Sequence, residues 1–174
     1  MMQLIVAPDT RLENPVPKFD LATDNPRPLA FEMIELMQKE GGLGLSANQV
    51  GINGQIFVMK CLLNKKYGDT IVVINPHIKG ISKELEEGIE GCLSHPGLTL
   101  KVRRPISCVV EFDTLTNDYK DVIHVETKFN DIDSRIFLHE YDHLQGIQFI
   151  NRVSRLKLNM GLKKQAKRNK NGRT

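Results

Sequence analysis

Apolar and polar positions along the 174-residue chain change period several times. Leu29, Met33, Leu36 and Met37 recur at helical spacing. Asn25-Pro26 ahead of them offers a cap and an N1 proline, and Gly41-Gly42 ends the run, so the pattern predicts a helix reaching about Glu40. Ile56–Met59 and Ile71–Ile74 are short apolar runs rich in β-branched residues and predict strands, the second closed by Pro76. Leu98, Leu100 and Val102 alternate with polar residues, as a half-buried strand does. Pro105 separates them from a further strand, Ile106–Phe112, and Val122–Val125 is another candidate. From about Asp133, Ile136, Phe137, Leu144 and Ile147 return to helical spacing. Strands precede one long helix instead of alternating with helices. That predicts an α+β fold with mixed, largely antiparallel sheets around a central helix, an N-terminal helix and a C-terminal helix or tail.

Composition narrows the class. With 40% hydrophobic and 26% charged residues the chain suits one globular domain with a real core. No apolar run approaches the roughly 20 residues of a membrane helix. The start, MMQLIVAPD, lacks the basic n-region of a signal peptide, so the cytoplasm is the expected compartment, with no membrane association. Three cysteines, Cys61, Cys92 and Cys108, are an odd number without framework spacing, which argues for buried thiols or a metal ligand over disulfides.

Charge is divided along the chain. Of 24 basic and 21 acidic residues, nine basic and no acidic ones follow Asn151, so residues 1–151 carry −6 and residues 152–174 carry +9. The expected organisation is a catalytic domain over 1–151 and a basic extension over 152–174. In the extension, Val153, Leu156 and Met160 permit one amphipathic helical stretch, which Gly161 weakens. Such a segment is either a solvated end or an RNA-facing surface.

The central helix carries HEYDH. On a helix His139 and His143 share a face and can present two imidazoles to one ion, while Glu140 reaches a water beside it. Two histidines do not complete a site. Ten residues after His139 stands Phe149, not a third histidine, and no acid follows Asp142. The third ligand must therefore lie upstream, among the cysteines, His77, His95, His124 and the carboxylates. Cys61 and Cys108 sit in apolar runs and read as small buried hydrophobes. Cys92 sits in EGIEGCLSHPG, whose glycines and proline read as a loop able to approach a metal. A Cys-His₂ set with an open fourth position is the expected arrangement. In GGLGLSANQVG the glycines read either as a helix-to-strand turn or as backbone lying close to a ligand, and Gln49 offers a neutral amide able to hold an oxyanion.

These three segments together resemble the peptide deformylase family. Its G-φ-G-φ-A-A-x-Q, E-G-C-L-S and H-E-x-D-H-L-x-G motifs stand in order as Gly42–Gln49, Glu90–Ser94 and His139–Gly146. The N-terminal VAPDTRLENPVPKFD and the later NPHI, VRRP and FINRVSRLK fall where the family has them, so the similarity covers most of the chain. Ser46 replaces the family's first alanine, Leu138 a common glutamine, and His95 a usual apolar residue. The resemblance implies one divalent metal, bound by Cys92, His139 and His143, with Fe²⁺ in the cell and Zn²⁺ or Ni²⁺ as replacements. It implies that Glu140 is general base and acid, that Gln49 and the Leu93 N–H hold the oxyanion, and that Leu43, Gly44 and Gly91 bind substrate backbone as a strand. Ile136 would line a pocket for methionine, and Glu90 with Arg104 would give structural support. The implied reaction removes the formyl group from N-formylmethionyl nascent peptides through attack by metal-held water, releasing formate. The implied partners are those peptides and, through the basic tail, ribosomal RNA; the expected state is a monomer. A metallopeptidase and a non-catalytic metal-binding homologue are the alternatives.

Overall fold

The computed structural model describes residues 2–170; Met1 and the last four residues, with Arg173 of the basic extension, lie outside them. Helix α1 spans Pro26–Lys39, and the Asn25 side chain caps it by accepting from the Arg27 N–H. Strands follow at Gly44–Ser46 (β1), Ile56–Lys60 (β2), Thr70–Ile81 (β3), Leu85–Cys92 (β4), His95–Pro105 (β5), Ser107–Leu115 (β6) and Val122–Asn130 (β7). Helix α2 covers Asp131–Leu144 and α3 covers Arg155–Lys170. Five strands form one sheet in the order β1-β2-β3-β6-β7, and β4 and β5 form a separate hairpin. Among the described residues every strand pairing is antiparallel, so the expected mixed character resolves to antiparallel sheets.

The continuous apolar runs arise because the large sheet is buried on both faces. Phe57, Met59, Ile71 and Val73 point into a core with Phe112, Phe129, Ile136 and Phe137, beneath α2. Their neighbours Ile56, Val58, Val72 and Ile74 point the other way and meet Met33, Leu36 and Met37 of α1. Helix α2 is thus held on the large sheet. Asp133, in its first turn, accepts the backbone N–H groups of Leu62, Leu63 and Asn64 at 2.8, 3.0 and 2.7 Å and fixes the loop leaving β2.

Three local features differ from what the sequence pattern suggests. Pro76 does not end β3; the strand continues through a register shift, with Asn75 at φ 50° and its amide bonded to both backbone groups of Phe19. β4 carries no apolar alternation because only Glu90 in it is buried, so its pattern hid it. Helix α3 is not broken at Gly161. A Cβ there would collide with Leu100 and crowd Leu98, so the bare backbone lets the helix lie against β5. The inward stripe is Leu158, Gly161 and Gln165, whereas Leu156 and Met160 face solvent at 71% and 63% exposure. The 151/152 boundary falls within the 3-10 turn Phe149–Arg152. No helix of the described residues is long and apolar enough to cross a membrane.

Phe137 is fully buried, with its ring 5.4 Å from Phe57 and 5.5 Å from Phe129. Phe137→Ala should cost about 3–5 kcal/mol in urea unfolding. Met160→Ala, on the solvent side of α3, should stay within about 0.5 kcal/mol.

Candidate metal centre

Helix α2 and the β4–β5 hairpin meet over the first layer of the core, and the donor atoms gather at their junction. His139 and His143 are one turn apart on α2, with ring centroids 5.1 Å apart. Cys92 arrives from the last position of β4, paired with His95 across the tight hairpin end. It is therefore a strand end and not the open loop that its glycine-rich surroundings suggest. The Cys92 Sγ and one ring nitrogen from each histidine lie within 4.8 Å of one another, the only such cluster among the described residues. Sγ is 3.2 Å from Nε2 of His143. The other upstream candidates sit elsewhere. His77 is exposed, His124 pairs with Asp113, and His95 hydrogen-bonds Gln148. Burial pushes the Cys61 and Cys108 thiols up to about 12 and about 11, which keeps them protonated.

Glu90 sets the orientation of this cluster. Its carboxylate accepts from Arg104 Nε at 2.9 Å and Nη2 at 3.0 Å, from Arg135 Nη1 at 2.8 Å, and from His139 Nδ1 at 3.0 Å. A carboxylate in this role only accepts, so Nδ1 of His139 carries a proton and Nε2 is the nitrogen an ion would take. Arg104 continues to Asp142, and Asp142 to Arg152, so the charges form one chain across α2, the hairpin and the turn before α3. Arg135 also donates to the backbone oxygens of Val102 and Glu86, tying α2 to β5 and β4.

The electrostatics suit a cation. Burial opposes charge on His139, but hydrogen bonds to Cys92 and Glu90, with Glu140 nearby, push its pKa up to about 10, so a binding metal would displace a proton from Nε2. Burial and the neighbouring His139 hold His143 well below its ordinary value, leaving the neutral imidazole that metals bind. One soft sulfur and two imidazoles in this arrangement fit Zn²⁺, Fe²⁺ or Ni²⁺.

Beside the donors lies a cavity of about 530 Å³. Cys92, His139, Glu140 and Gln49 line it, as do Leu43, Gly44, Gly91, Leu93 and Ile136. Burial raises the Glu140 carboxyl above its ordinary value. A Cβ on Gly44 would meet Glu140 Cδ at 2.6 Å, so the glycine backbone is what makes room for the carboxylate. Gln49 Nε2 lies 3.3 Å from Cys92 Sγ and 3.0 Å from Ser94 Oγ. Arg135, Asp142 and Arg152 escaped the sequence reading. For Arg135 and Asp142 the available signal is charge at core-facing positions of α2; Arg152, exposed in the turn before α3, carries none. The Ser46 hydroxyl lies 2.8 Å from Glu140 Oε2, a contact that its place in the first motif does not reveal.

The chain matches the family model described as polypeptide deformylase over residues 1–159. It is 38% identical over 155 residues to the chloroplastic peptide deformylase 1B of rice, covering 88% of this chain and 55% of the relative. It is 38% identical over 160 residues to a Synechocystis peptide deformylase, covering 90% and 82%. The chain thus spans about half the length of the plant relatives it matches. Among solved structures, a Synechococcus elongatus peptide deformylase in complex with actinonin superposes with a TM-score of 0.82 at 33% identity, over 95% of this chain and 86% of that one. A probable peptide deformylase from Synechococcus phage S-SSM7 gives 0.77 at 30%, over 88% and 100%.

Glu90 supplies a test of the charge network. Burial raises its carboxyl, but the bonds from His139 and Arg104 outweigh this and hold it down at about 2 against an ordinary 4.5. A depressed carboxylate adds stability that is complete above about pH 4.5 and is lost as pH falls toward 2. Urea unfolding of the metal-free protein should lose on the order of 3 kcal/mol across that window, and Glu90→Gln should flatten the dependence.

Proposed function

Since the chain belongs to the polypeptide deformylase family, we propose that it hydrolyses the formyl group from N-formylmethionyl nascent peptides and releases formate. The observation that carries the reading is that Glu140 and Gln49 line the same cavity as Cys92 and His139, two members of the Cys92–His139–His143 cluster. Neither a buried carboxylate nor a neutral amide beside the donors is needed merely to hold a metal.

In this reading Cys92, His139 and His143 hold one divalent ion, Fe²⁺ in the cell with Zn²⁺ or Ni²⁺ as replacements. When bound, the ion supplies Lewis acidity and lowers the pKa of water. Glu140 takes a proton from the attacking water. As negative charge grows on the formyl oxygen, Gln49 Nε2 and the Leu93 N–H donate to it, each such donor being worth about 10²–10³ in kcat. Glu140 then passes its proton to the leaving amine, so water and formamide become formate and a free amino terminus. Leu43, Gly44 and Gly91 bind the peptide backbone as an added strand, and Ile136 borders the methionine pocket. The burial that raises the Glu140 carboxyl suits a group that must hold a proton and release it.

The test is formate release from a formyl-Met peptide by protein loaded separately with Fe²⁺, Zn²⁺ and Ni²⁺. Glu140→Gln should keep its metal and lose about 10²–10⁴ in rate, the usual worth of a general base. Cys92→Ala should lose metal. Appearance of amines from internal peptide bonds, without formate, would point to a peptidase instead.

We further read α3 as the surface that docks the enzyme, a monomer in the cytoplasm, on ribosomal RNA. Its exposed Lys163, Lys164 and Lys167 carry the positive charge, and the helix itself contains no acidic residue. Replacing these three by Glu should abolish salt-sensitive co-sedimentation with ribosomes and spare turnover of a short peptide. Unchanged co-sedimentation would exclude α3.

A further inference from the structure

Ser46 is the last residue of β1 and is fully buried. Its Oγ lies 2.8 Å from Glu140 Oε2 and 3.0 Å from the Glu140 main-chain oxygen. Its N–H donates at 2.8 Å to Gln49 Oε1, which turns the Nε2 end of that amide toward Cys92 and Ser94. One residue thus touches both side chains to which the proposed reaction assigns work. We propose that Ser46 is a positioning residue whose hydroxyl fixes the Glu140 carboxylate for proton transfer. The proposal rests on the deformylase reading above.

Glu140 has three rotatable side-chain bonds, and proton transfer demands a hydrogen-bonding approach to water and amine. Among the described residues Ser46 is the only side chain hydrogen-bonded to its carboxylate. On the other side the bare backbone of Gly44 lies under it, so the group is clamped between an alcohol and a glycine. While Glu140 is charged, the hydroxyl donates to Oε2, which leaves the other carboxylate oxygen to take the proton from water and release it to the amine. Ser46 keeps its own proton throughout, and the transferred proton travels from water to Glu140 to the amine.

The experiment compares the unmodified protein, Ser46→Ala and Ser46→Thr, each loaded with the same divalent metal, on a formyl-Met peptide. Loss of one hydrogen bond to a charged group should lower kcat about 10- to 100-fold. KM should stay within about twofold, metal content and thermal midpoint should be unchanged, and Ser46→Thr should recover part of the rate. In the metal-free protein, the infrared band of the Glu140 carboxyl, identified by its loss in Glu140→Gln, should shift in Ser46→Ala. An unshifted band with unchanged kcat overturns the proposal, as does a rate loss that follows metal content or thermal midpoint. Absence of formate release from the unmodified, metal-loaded protein overturns the underlying reading instead.

Discussion

Everything at the site hangs on a buried carboxylate that satisfies three partners at once. Glu90 sits on the hairpin, yet its hydrogen bonds reach Arg104 on the neighbouring strand and Arg135 and His139 on α2. Among the described residues the hairpin shares no backbone ladder with the five-stranded sheet. Its attachment to α2 therefore depends heavily on these charges. An unpaired buried charge is costly, so each member of the network fixes the others. The same bonds choose the His139 tautomer and carry Cys92 to its place at the end of β4. Architecture and chemistry are set by one group of contacts.

The rest of the molecule serves as the rigid floor for that junction. Side chains of β2 and β3 alternate between two apolar layers, one against α1 and one against α2. A helix packed in this way has little freedom to rotate, which matters because a turn of α2 would swing both imidazoles and Glu140 together. The Asp133 carboxylate, holding three successive N–H groups of the loop after β2, sets the helix start against the sheet in the same sense. Precision at the metal donors thus begins with packing and ends with hydrogen bonds.

Much of this was legible from local pattern. His139, Glu140 and His143 announce themselves because helical spacing is a property of five consecutive residues. Helix α1 and the strands with double-sided burial are legible for the same reason. Cys92 is found through its glycine-rich neighbours, although those glycines belong to a tight strand end and not to a loop. β4 is not legible, since it buries a single glutamate and shows water an otherwise unremarkable face. The tie from Ser46 to Glu140 spans 94 residues of sequence and has no periodic signature. Nor does the link from Arg135 to the carbonyls of Val102 and Glu86. Pro76 misleads because a proline ends a strand only when the strand cannot bulge around it.

Helix α3 lies against β5 through Leu158, Gly161 and Gln165, and none of its residues is fully buried. Two kinds of positions result. A side chain added at Gly161 would press on Leu98 and Leu100 of the strand that pairs with Glu90 and Gly91. Positions such as Leu156, Met160 and Lys163 bear no packing duty. Natural variation at these outward positions is free to follow whatever the helix meets outside the protein, making α3 a display surface whose lettering can be rewritten without disturbing the machinery behind it.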